Sequence, residues 1–89
     1  MKIDHVVITN KLGLHARAAA KLVQLSNQFS ADIVLEKDGQ TADAKSIMDV
    51  LMLTGTKDSR LKVSAEGKDE AAAITEVVGL IQDKFGEGE

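Results

Sequence analysis

The chain has 89 residues, enough for one hydrophobic core, and we predict a single domain over residues 1–89. It has no cysteine, which excludes disulfide bonds and thiolate chemistry, and no apolar stretch approaches the roughly 20 residues of a membrane-spanning helix. A net charge of −3 with no Trp or Tyr argues against nucleic acid, which needs concentrated cations and aromatic stacking surfaces. We therefore expect a cytoplasmic protein whose partners are other proteins.

The first third of the chain predicts a strand, a loop and a helix. Residues 2–9 are rich in Ile and Val, which is typical of a strand, with Val6 and Ile8 facing the core. A loop is predicted at residues 10–13, and the apolar pattern changes to helical spacing from Ala16. The apolar stripe of this helix consists of Ala18, Leu22, Leu25 and Phe29.

A hairpin and a short helix are predicted next. Residues 31–37 and 40–43 have the pattern of strands, and Asp38-Gly39 between them is typical of a two-residue hairpin turn. Ser46 then precedes an apolar run at 47–53. The Ser-x-x-Asp spacing at this point resembles a capping box, which predicts that a short helix begins after Ser46.

The last third predicts one strand and one long helix. Residues 60–66 alternate between apolar and polar side chains, as expected for a strand with one buried face. A helix is predicted from about residue 69, with Lys84 in its last turn and Gly86 as its stop. We expect the acidic end, Gly86–Glu89, to be a frayed tail. The order β-α-β-β-α-β-α favours an α+β fold: a four-stranded antiparallel sheet with three helices on one face.

His15 is the first candidate for chemistry, because it lies where the first helix is predicted to begin. The backbone N–H groups of Ala16 and Arg17 would have no partner within the helix and could bind a phosphoryl group carried on His15. The positive helix end favours the neutral, nucleophilic ring, and the guanidinium of Arg17 matches phosphate oxygens. The alternative is that His15 is only a polar cap or a surface residue.

The other histidine, His5, serves as an internal comparison. It is predicted to lie in mid-strand with no basic neighbour and no helix end, and we interpret it as structural or incidental. His5 and His15 alone do not form a metal site, which requires clustered His, Cys or carboxylate ligands. We therefore predict neither a metal nor another cofactor.

Ser46 and the apolar run after it form the second candidate. As an N-cap, Ser46 would bond an early backbone N–H, which is its ordinary structural role; alternatively it is a phosphorylation site whose phosphate the helix end would stabilise. The run holds more apolar residues than one helix face can bury, so Ile47, Met48 and Leu51 are candidates for a partner-binding surface. A helix buried on several sides would also explain this pattern.

Two motifs resemble those of one protein family over essentially the whole chain. Gly13-Leu14-His15-Ala16-Arg17-Ala18-Ala19 resembles the active-site signature of the HPr family, the histidine-containing phosphocarriers of the bacterial phosphotransferase system. Lys45-Ser46-Ile47-Met48 resembles its regulatory-serine signature, at the expected separation. The resemblance implies an HPr-like open-faced β-sandwich.

The resemblance also implies roles for individual residues. His15 would accept a phosphoryl group on Nδ1 from phospho-Enzyme I, which draws on phosphoenolpyruvate, and would pass it to an EIIA domain. Arg17 would stabilise the phosphoryl group. Ser46 would be the target of HPr kinase/phosphorylase, and the surface around His15 and the short helix would bind these partners. Such a protein, expected to be a monomer, is an intermediate in a relay rather than an enzyme.

The sequence departs from the commonest HPr pattern at several positions. Ala18 stands where many members have proline, and Asp49 and Thr54 stand where many members of the sugar branch have glycine. Asn10-Lys11-Leu12 resembles the nitrogen-related branch, NPr. An alternative is therefore a mainly regulatory, NPr-like module, or one that docks to a transcriptional regulator when Ser46 is phosphorylated. A nucleic-acid-binding plait shares the element order, but the acidic charge and the missing aromatics disfavour it.

Overall fold

The computed structural model describes all residues, 1–89, as four strands and three α-helices. The elements are β1 (Lys2–Val7), α1 (Ala16–Ser26), β2 (Asp32–Lys37), β3 (Gln40–Asp43), α2 (Ile47–Met52), β4 (Arg60–Glu66) and α3 (Glu70–Gln82). A short 3-10 turn at Lys84–Gly86 follows α3. The predicted order β-α-β-β-α-β-α is confirmed. None of the helices is both long enough and apolar enough to cross a membrane.

The four strands form one antiparallel sheet in the order β1-β4-β2-β3. β4 is central: Val63 pairs with Asp4 of β1 on one side and with Leu35 of β2 on the other. The side chains of one face are buried beneath the helices, whereas Ile3 and Val34 of the opposite face are exposed. The predicted sheet, covered on one face, is therefore confirmed.

The core contains 21 buried apolar residues, contributed by all four strands and all three helices. The predicted core positions Val6 and Ile8 are buried, and so are Val50 and Leu53 at the short helix. Phe85 is completely buried beyond the end of α3. Of the stripe predicted for α1 and the turn after it, Ala18 and Leu22 are buried, whereas Leu25 and Phe29 only pack against the edge of the core.

The hairpin between β2 and β3 has the predicted two-residue turn. Lys37 pairs with Gln40, and the two residues between them have φ values of +51° at Asp38 and +83° at Gly39. Two successive positive φ values define a type I′ turn, whose twist matches that of the flanking strands. Asp and Gly tolerate this conformation best, which is why the dipeptide could be recognised in the sequence.

The predicted capping box at α2 is only half formed. Ser46 Oγ accepts a hydrogen bond from Asp49 N at 3.3 Å, as a capping serine should. The carboxylate of Asp49 does not return a bond to Ser46 N, which donates to Asp43 O instead. It accepts from Asp43 N at 3.2 Å, because the tight β3–α2 connection brings that amide within reach. Asp49 thus ties α2 to β3.

The prediction of a frayed acidic tail is wrong, and so is the predicted end of the last helix. α3 ends at Gln82, and the chain then turns back across the molecule. Lys21 Nζ donates a hydrogen bond to Phe85 O at 2.7 Å, and Lys11 N donates to Glu89 O at 2.6 Å. Burial of the Phe85 ring anchors the acidic segment, which we define as Gly86–Glu89, beside the start of α1.

Candidate functional site

His15 is the N-cap residue of α1, where the sequence predicted the helix to begin. Its backbone is extended, with φ −73° and ψ 176°, and its side chain makes no capping hydrogen bond. The first bond of the helix runs from Ala19 N to His15 O, at 2.8 Å. The N–H groups of Ala16, Arg17 and Ala18 consequently have no acceptor. The half-buried imidazole thus lies at a helix start that is open to an anion.

The loop before His15 has a shape that only glycine allows. Gly13 has a φ of +62°, and a Cβ built there would lie 2.3 Å from Gly55 O. The next residue, Leu14, donates its N–H to the same carbonyl at 2.8 Å and buries its side chain. This close approach of two backbones fixes the direction in which the chain enters α1, and therefore the position of His15.

Arg17 lies on the first turn of α1 and shares a surface cleft of about 580 Å³ with His15. Its side chain is exposed, and it forms neither a hydrogen bond nor an ion pair. A guanidinium without a partner keeps its planar donors available for the oxygens of a phosphoryl group. The fold therefore brings the two residues of the predicted active-site motif to one cleft.

Glu87 of the acidic segment contacts the His15 ring, which the sequence did not predict. Its Oε2 atom is hydrogen-bonded to His15 Nε2, while Oε1 accepts from Asn10 Nδ2 at 3.0 Å. Asn10 is fully buried and donates also to Gly13 O at 2.8 Å. Burial raises the pKa of Glu87, but the hydrogen bonds from Asn10 and His15 and the nearby charge of Arg17 lower the pKa by more. The carboxylate is therefore held in its ionised form.

No local sequence pattern could have revealed this contact. His15 and Glu87 are separated by 72 positions, and an acidic residue in a glycine-rich end is typical of a solvated tail. The one usable signal was Phe85, an apolar residue at helical spacing from Ile81. Because its ring is buried in the core, the residues that follow must stay close to the surface of the domain. Asn10 carried no signal, since asparagine is an ordinary loop residue.

Ser46 and the predicted partner surface lie at α2, outside the cleft that holds His15. Ser46 is half-buried and caps α2. Of the three residues predicted for the surface, Ile47 and Met48 are exposed, at 40 % and 64 %, whereas Leu51 is half-buried against the core. Met52, at 64 % exposure, contributes more apolar area to this face than Leu51 does.

The other histidine, His5, does not line the cleft that holds His15. His5 lies on exposed β1 opposite Lys62, so the expectation that it has no basic neighbour is wrong. Its side chain forms no hydrogen bond or ion pair. No group of three or more His, Cys, Asp or Glu side chains is arranged to hold a metal ion. The groups that the structure brings together at His15 are its imidazole, the Glu87 carboxylate, the Arg17 guanidinium and the first backbone amides of α1.

Comparison with known proteins identifies the family. The family model described as "PTS HPr component phosphorylation site" matches residues 3–83. The chain is 46 % identical over 82 residues to phosphocarrier protein HPr of Cupriavidus necator, covering 92 % of each chain, and 42 % identical over 83 residues to phosphocarrier protein NPr of Escherichia coli K12, also covering 92 % of each.

A solved structure shows the same architecture. The crystal structure of HPr-C-His from Thermoanaerobacter tengcongensis superimposes with a TM-score of 0.94 at 48 % identity, covering 98 % of each chain. The fold agrees with this structure, and the sequence agrees with carriers named HPr and NPr. A helix start with free N–H groups is a site at which a phosphoryl group can bind. The chain therefore belongs to the HPr family, the phosphocarrier proteins of the phosphotransferase system.

Proposed function

We propose that this protein accepts a phosphoryl group on His15 from phospho-Enzyme I and transfers it to an EIIA domain. One observation carries the proposal: His15 shares one cleft with Ala16 and Arg17, whose backbone N–H groups have no acceptor, and the guanidinium of Arg17 is unpaired. These are donors that a phosphoryl group needs and that nothing in the protein satisfies. Residues 1–89 would act as one HPr domain, in the cytoplasm and as a monomer.

The transfer step follows from this arrangement. The Nδ1 lone pair of His15 attacks the phosphorus atom, and the bond from phosphorus to the donor nitrogen breaks, leaving its electron pair on Enzyme I. Because Nε2 is already hydrogen-bonded to Glu87, Nδ1 is the ring nitrogen left to react. The amides of Ala16 and Arg17 and the Arg17 guanidinium would then bind the phosphoryl oxygens. Transfer to EIIA reverses these steps. The protein is thus a relay intermediate and not an enzyme with its own turnover.

The partners would dock where the cleft adjoins exposed apolar side chains. Ile47 and Met48 present flexible, polarisable surface on α2, which suits the recognition of several partners at one site. Leu51 would add to this surface only through its accessible edge. The exposed face of α2 lies outside the cleft, on a helix that packs against α1.

The test is phosphorylation by phosphoenolpyruvate and Enzyme I. We expect the wild type to acquire an acid-labile, alkali-stable phosphate that it passes to an EIIA domain, and we expect His15→Ala to acquire none. His5→Ala is the matched control, since it removes the other imidazole from an exposed strand, and it should be labelled like the wild type. Equal labelling of His15→Ala and wild type would refute the proposal.

A second candidate function is regulation through Ser46. Ser46 caps α2 directly before the exposed Ile47 and Met48, so a phosphate on its hydroxyl would place negative charge at the edge of the proposed docking surface. HPr kinase/phosphorylase would supply this phosphate, and a transcriptional regulator could recognise it. Titration of a candidate regulator with the unmodified protein and the phospho-Ser46 form tests this function; equal affinities would count against it.

A further inference from the structure

The acidic segment Gly86–Glu89 is held over the cleft by contacts at three points. The ring of Phe85, just before it, is completely buried, and Phe85 O accepts a hydrogen bond from Lys21 Nζ at 2.7 Å. At the other end, Glu89 O accepts from Lys11 N at 2.6 Å. Between these anchors lies Glu87, whose carboxylate contacts the His15 ring. The segment thus contacts the loop and the helix that carry the phosphoryl acceptor.

The backbone directly before this segment adopts conformations that are unfavourable for most residues. Lys84 and Phe85 both have a φ of +55°, in the left-handed region that L-residues with a Cβ rarely adopt. Gly86 and Gly88 follow at +77°, where glycine is favoured. Two such residues in succession persist only where surrounding contacts hold them in place. The path of the segment is therefore determined by its contacts with the cleft and the core.

The carboxylate of Glu87 is itself fixed from behind. Asn10 Nδ2 donates to Oε1 at 3.0 Å and to Gly13 O at 2.8 Å, and Asn10 is completely buried. Only 12 % of the Glu87 side chain is exposed, compared with 26 % of that of His15. A buried amide, a carboxylate and an imidazole consequently form one hydrogen-bonded chain that ends at the ring nitrogen Nε2.

We propose that Glu87 is a positioning residue for phosphoryl transfer, which accepts a hydrogen bond from Nε2–H and so leaves the lone pair of His15 on Nδ1. The inference rests on the proposed function. As Nδ1 forms its bond to phosphorus, the proton on Nε2 stays in place, and the ionised carboxylate stabilises the positive charge that develops on the ring. A carboxylate that orients a reacting imidazole through its other nitrogen is a recurrent arrangement in proteins.

A different interpretation is that the segment blocks the site, and the contacts argue against it. A blocking carboxylate would occupy the groups that bind phosphate. Glu87 instead contacts Nε2, whereas the N–H groups of Ala16 and Ala18 have no acceptor and Arg17 has no ion-pair partner. The acidic segment therefore leaves the phosphate-binding groups free while it holds the ring.

The test compares Glu87→Ala with Glu89→Ala in the full chain. Both changes remove a negative charge from the same cleft, but Glu89 makes no side-chain hydrogen bond or ion pair. We measure the initial rate of phosphorylation by Enzyme I and phosphoenolpyruvate. We expect Glu87→Ala to be about tenfold slower than the wild type, the lower end of the roughly 10- to 100-fold losses seen when the carboxylate behind a metal-bound imidazole is removed. Glu89→Ala should stay within about twofold, because the ring contact is intact.

Nitrogen-15 NMR of the His15 ring supplies a readout that a merely structural role would not change. The wild type and Glu89→Ala should show one tautomer, with the proton on Nε2 and Nδ1 unprotonated. Glu87→Ala should show a mixture of both tautomers. The isosteric Glu87→Gln, which keeps the fold but loses the charge, should have a rate between those of the wild type and Glu87→Ala.

The outcomes separate this inference from the proposed function. If Glu87→Ala is labelled on His15 as fast as Glu89→Ala, or faster, the positioning role is refuted although the carrier function stands; a faster rate would identify the segment as a lid. If the wild type itself is not labelled on His15, the proposed function fails first. A slower Glu87→Ala with an unchanged ring tautomer would also overturn the positioning role.

Discussion

The starts of α1 and α2 present the same physical problem and solve it differently. Each helix is preceded by a polar residue with an extended backbone, His15 in α1 and Ser46 in α2. Ser46 Oγ accepts a hydrogen bond from Asp49 N at 3.3 Å and so satisfies one free amide. His15 satisfies none, and the first amides of α1 have no acceptor. The start of α2 is capped by the Ser46 side chain, whereas the first amides of α1 stay free to bind a ligand.

This difference shows how stability and function are divided between two neighbouring helices. A capping hydroxyl is worth about 1 kcal/mol to a helix, so α1 forgoes a contribution that α2 receives. What α1 gains is a set of oriented donors, which need no rearrangement when an anion arrives. Histidine is not among the preferred capping residues, but at this position it supplies the imidazole that is proposed to accept the phosphoryl group. Four measurements would sharpen or refute this comparison, beginning with the largest expected effect.

The largest effect should come from the loop that sets up the open start of α1. Gly13→Ala would place a Cβ 2.3 Å from Gly55 O at a φ of +62°, so the backbone must shift. We expect the free energy of unfolding, from urea titration, to fall by about 3 kcal/mol. Gly39→Ala is the control: its φ is +83° but its Cβ would meet nothing within 4 Å, so a loss of about 1 kcal/mol is expected. Equal losses would show that the contact with Gly55 is unimportant.

Removal of the cation beside the open start should affect transfer and not stability. We expect Arg17→Ala to slow phosphorylation of His15 by about a hundredfold, because one set of donors to the developing charge is lost. The phosphorylation rate of Arg17→Lys should lie between those of the wild type and Arg17→Ala, since lysine keeps the charge without the planar donors. Arg60→Ala removes an exposed cation of β4 that does not line the cleft, and its rate should match the wild type. If both alanine variants slow transfer equally, the effect is one of net charge.

Alanine substitutions at His15 and Ser46 directly test the difference between the starts of α1 and α2. Ser46→Ala loses the hydrogen bond to Asp49 N, and we expect its free energy of unfolding to fall by about 1 kcal/mol while phosphorylation of His15 stays unchanged. His15→Ala loses no cap but does lose the hydrogen bond to Glu87, so we expect its free energy of unfolding to fall by about 1 kcal/mol, whereas phosphorylation is abolished. A large loss of stability in His15→Ala would mean that the ring has a structural role.

The smallest effect concerns the start of α3, where Asp69 is the N-cap but makes no capping bond. Its carboxylate accepts hydrogen bonds from Ser30 N and Ala31 N, at 2.9 and 2.8 Å, and so ties this start to the α1–β2 connection. The bond from Ser30 N, with that from Ala31 N, lowers the pKa of Asp69 below 3.8, against the opposing effect of burial.

The lowered pKa of Asp69 makes the free energy of unfolding depend on pH. Because folding lowers this pKa, the contribution of Asp69 to stability is present above about pH 4 and is lost as the pH falls through the folded pKa. Urea unfolding between about pH 6 and pH 2.5 should show a decline that is shallower in Asp69→Asn than in the wild type. Asp32→Asn changes an exposed strand carboxylate that forms no hydrogen bond or ion pair, and it should keep the wild-type slope. Parallel curves for all three proteins would contradict the assignment.

Most of the fold could be predicted because its signals are local. The bounds of β3 and β4 match the predicted ranges, and the turn at Asp38-Gly39 follows from the φ values that those two residues tolerate. The positions of His15 and Ser46 at helix starts follow from changes in apolar period. The errors lie where the deciding partner is on another element: Asp49 bonds an amide of β3, and the predicted frayed tail is held beside the start of α1.

The elements, their order, the buried faces and the histidine at a helix start could all be inferred from the amino-acid pattern, because each depends on residues close together in the chain. The surroundings of that histidine depend on contacts between distant segments. The acidic segment contacts it because Phe85 has its place in a core built from every part of the chain. A contact between His15 and Glu87 joins residues 72 positions apart, and no periodicity encodes such a pair. The position of His15 at a helix start is thus encoded by neighbouring residues, whereas the contact that orients its ring depends on the whole fold.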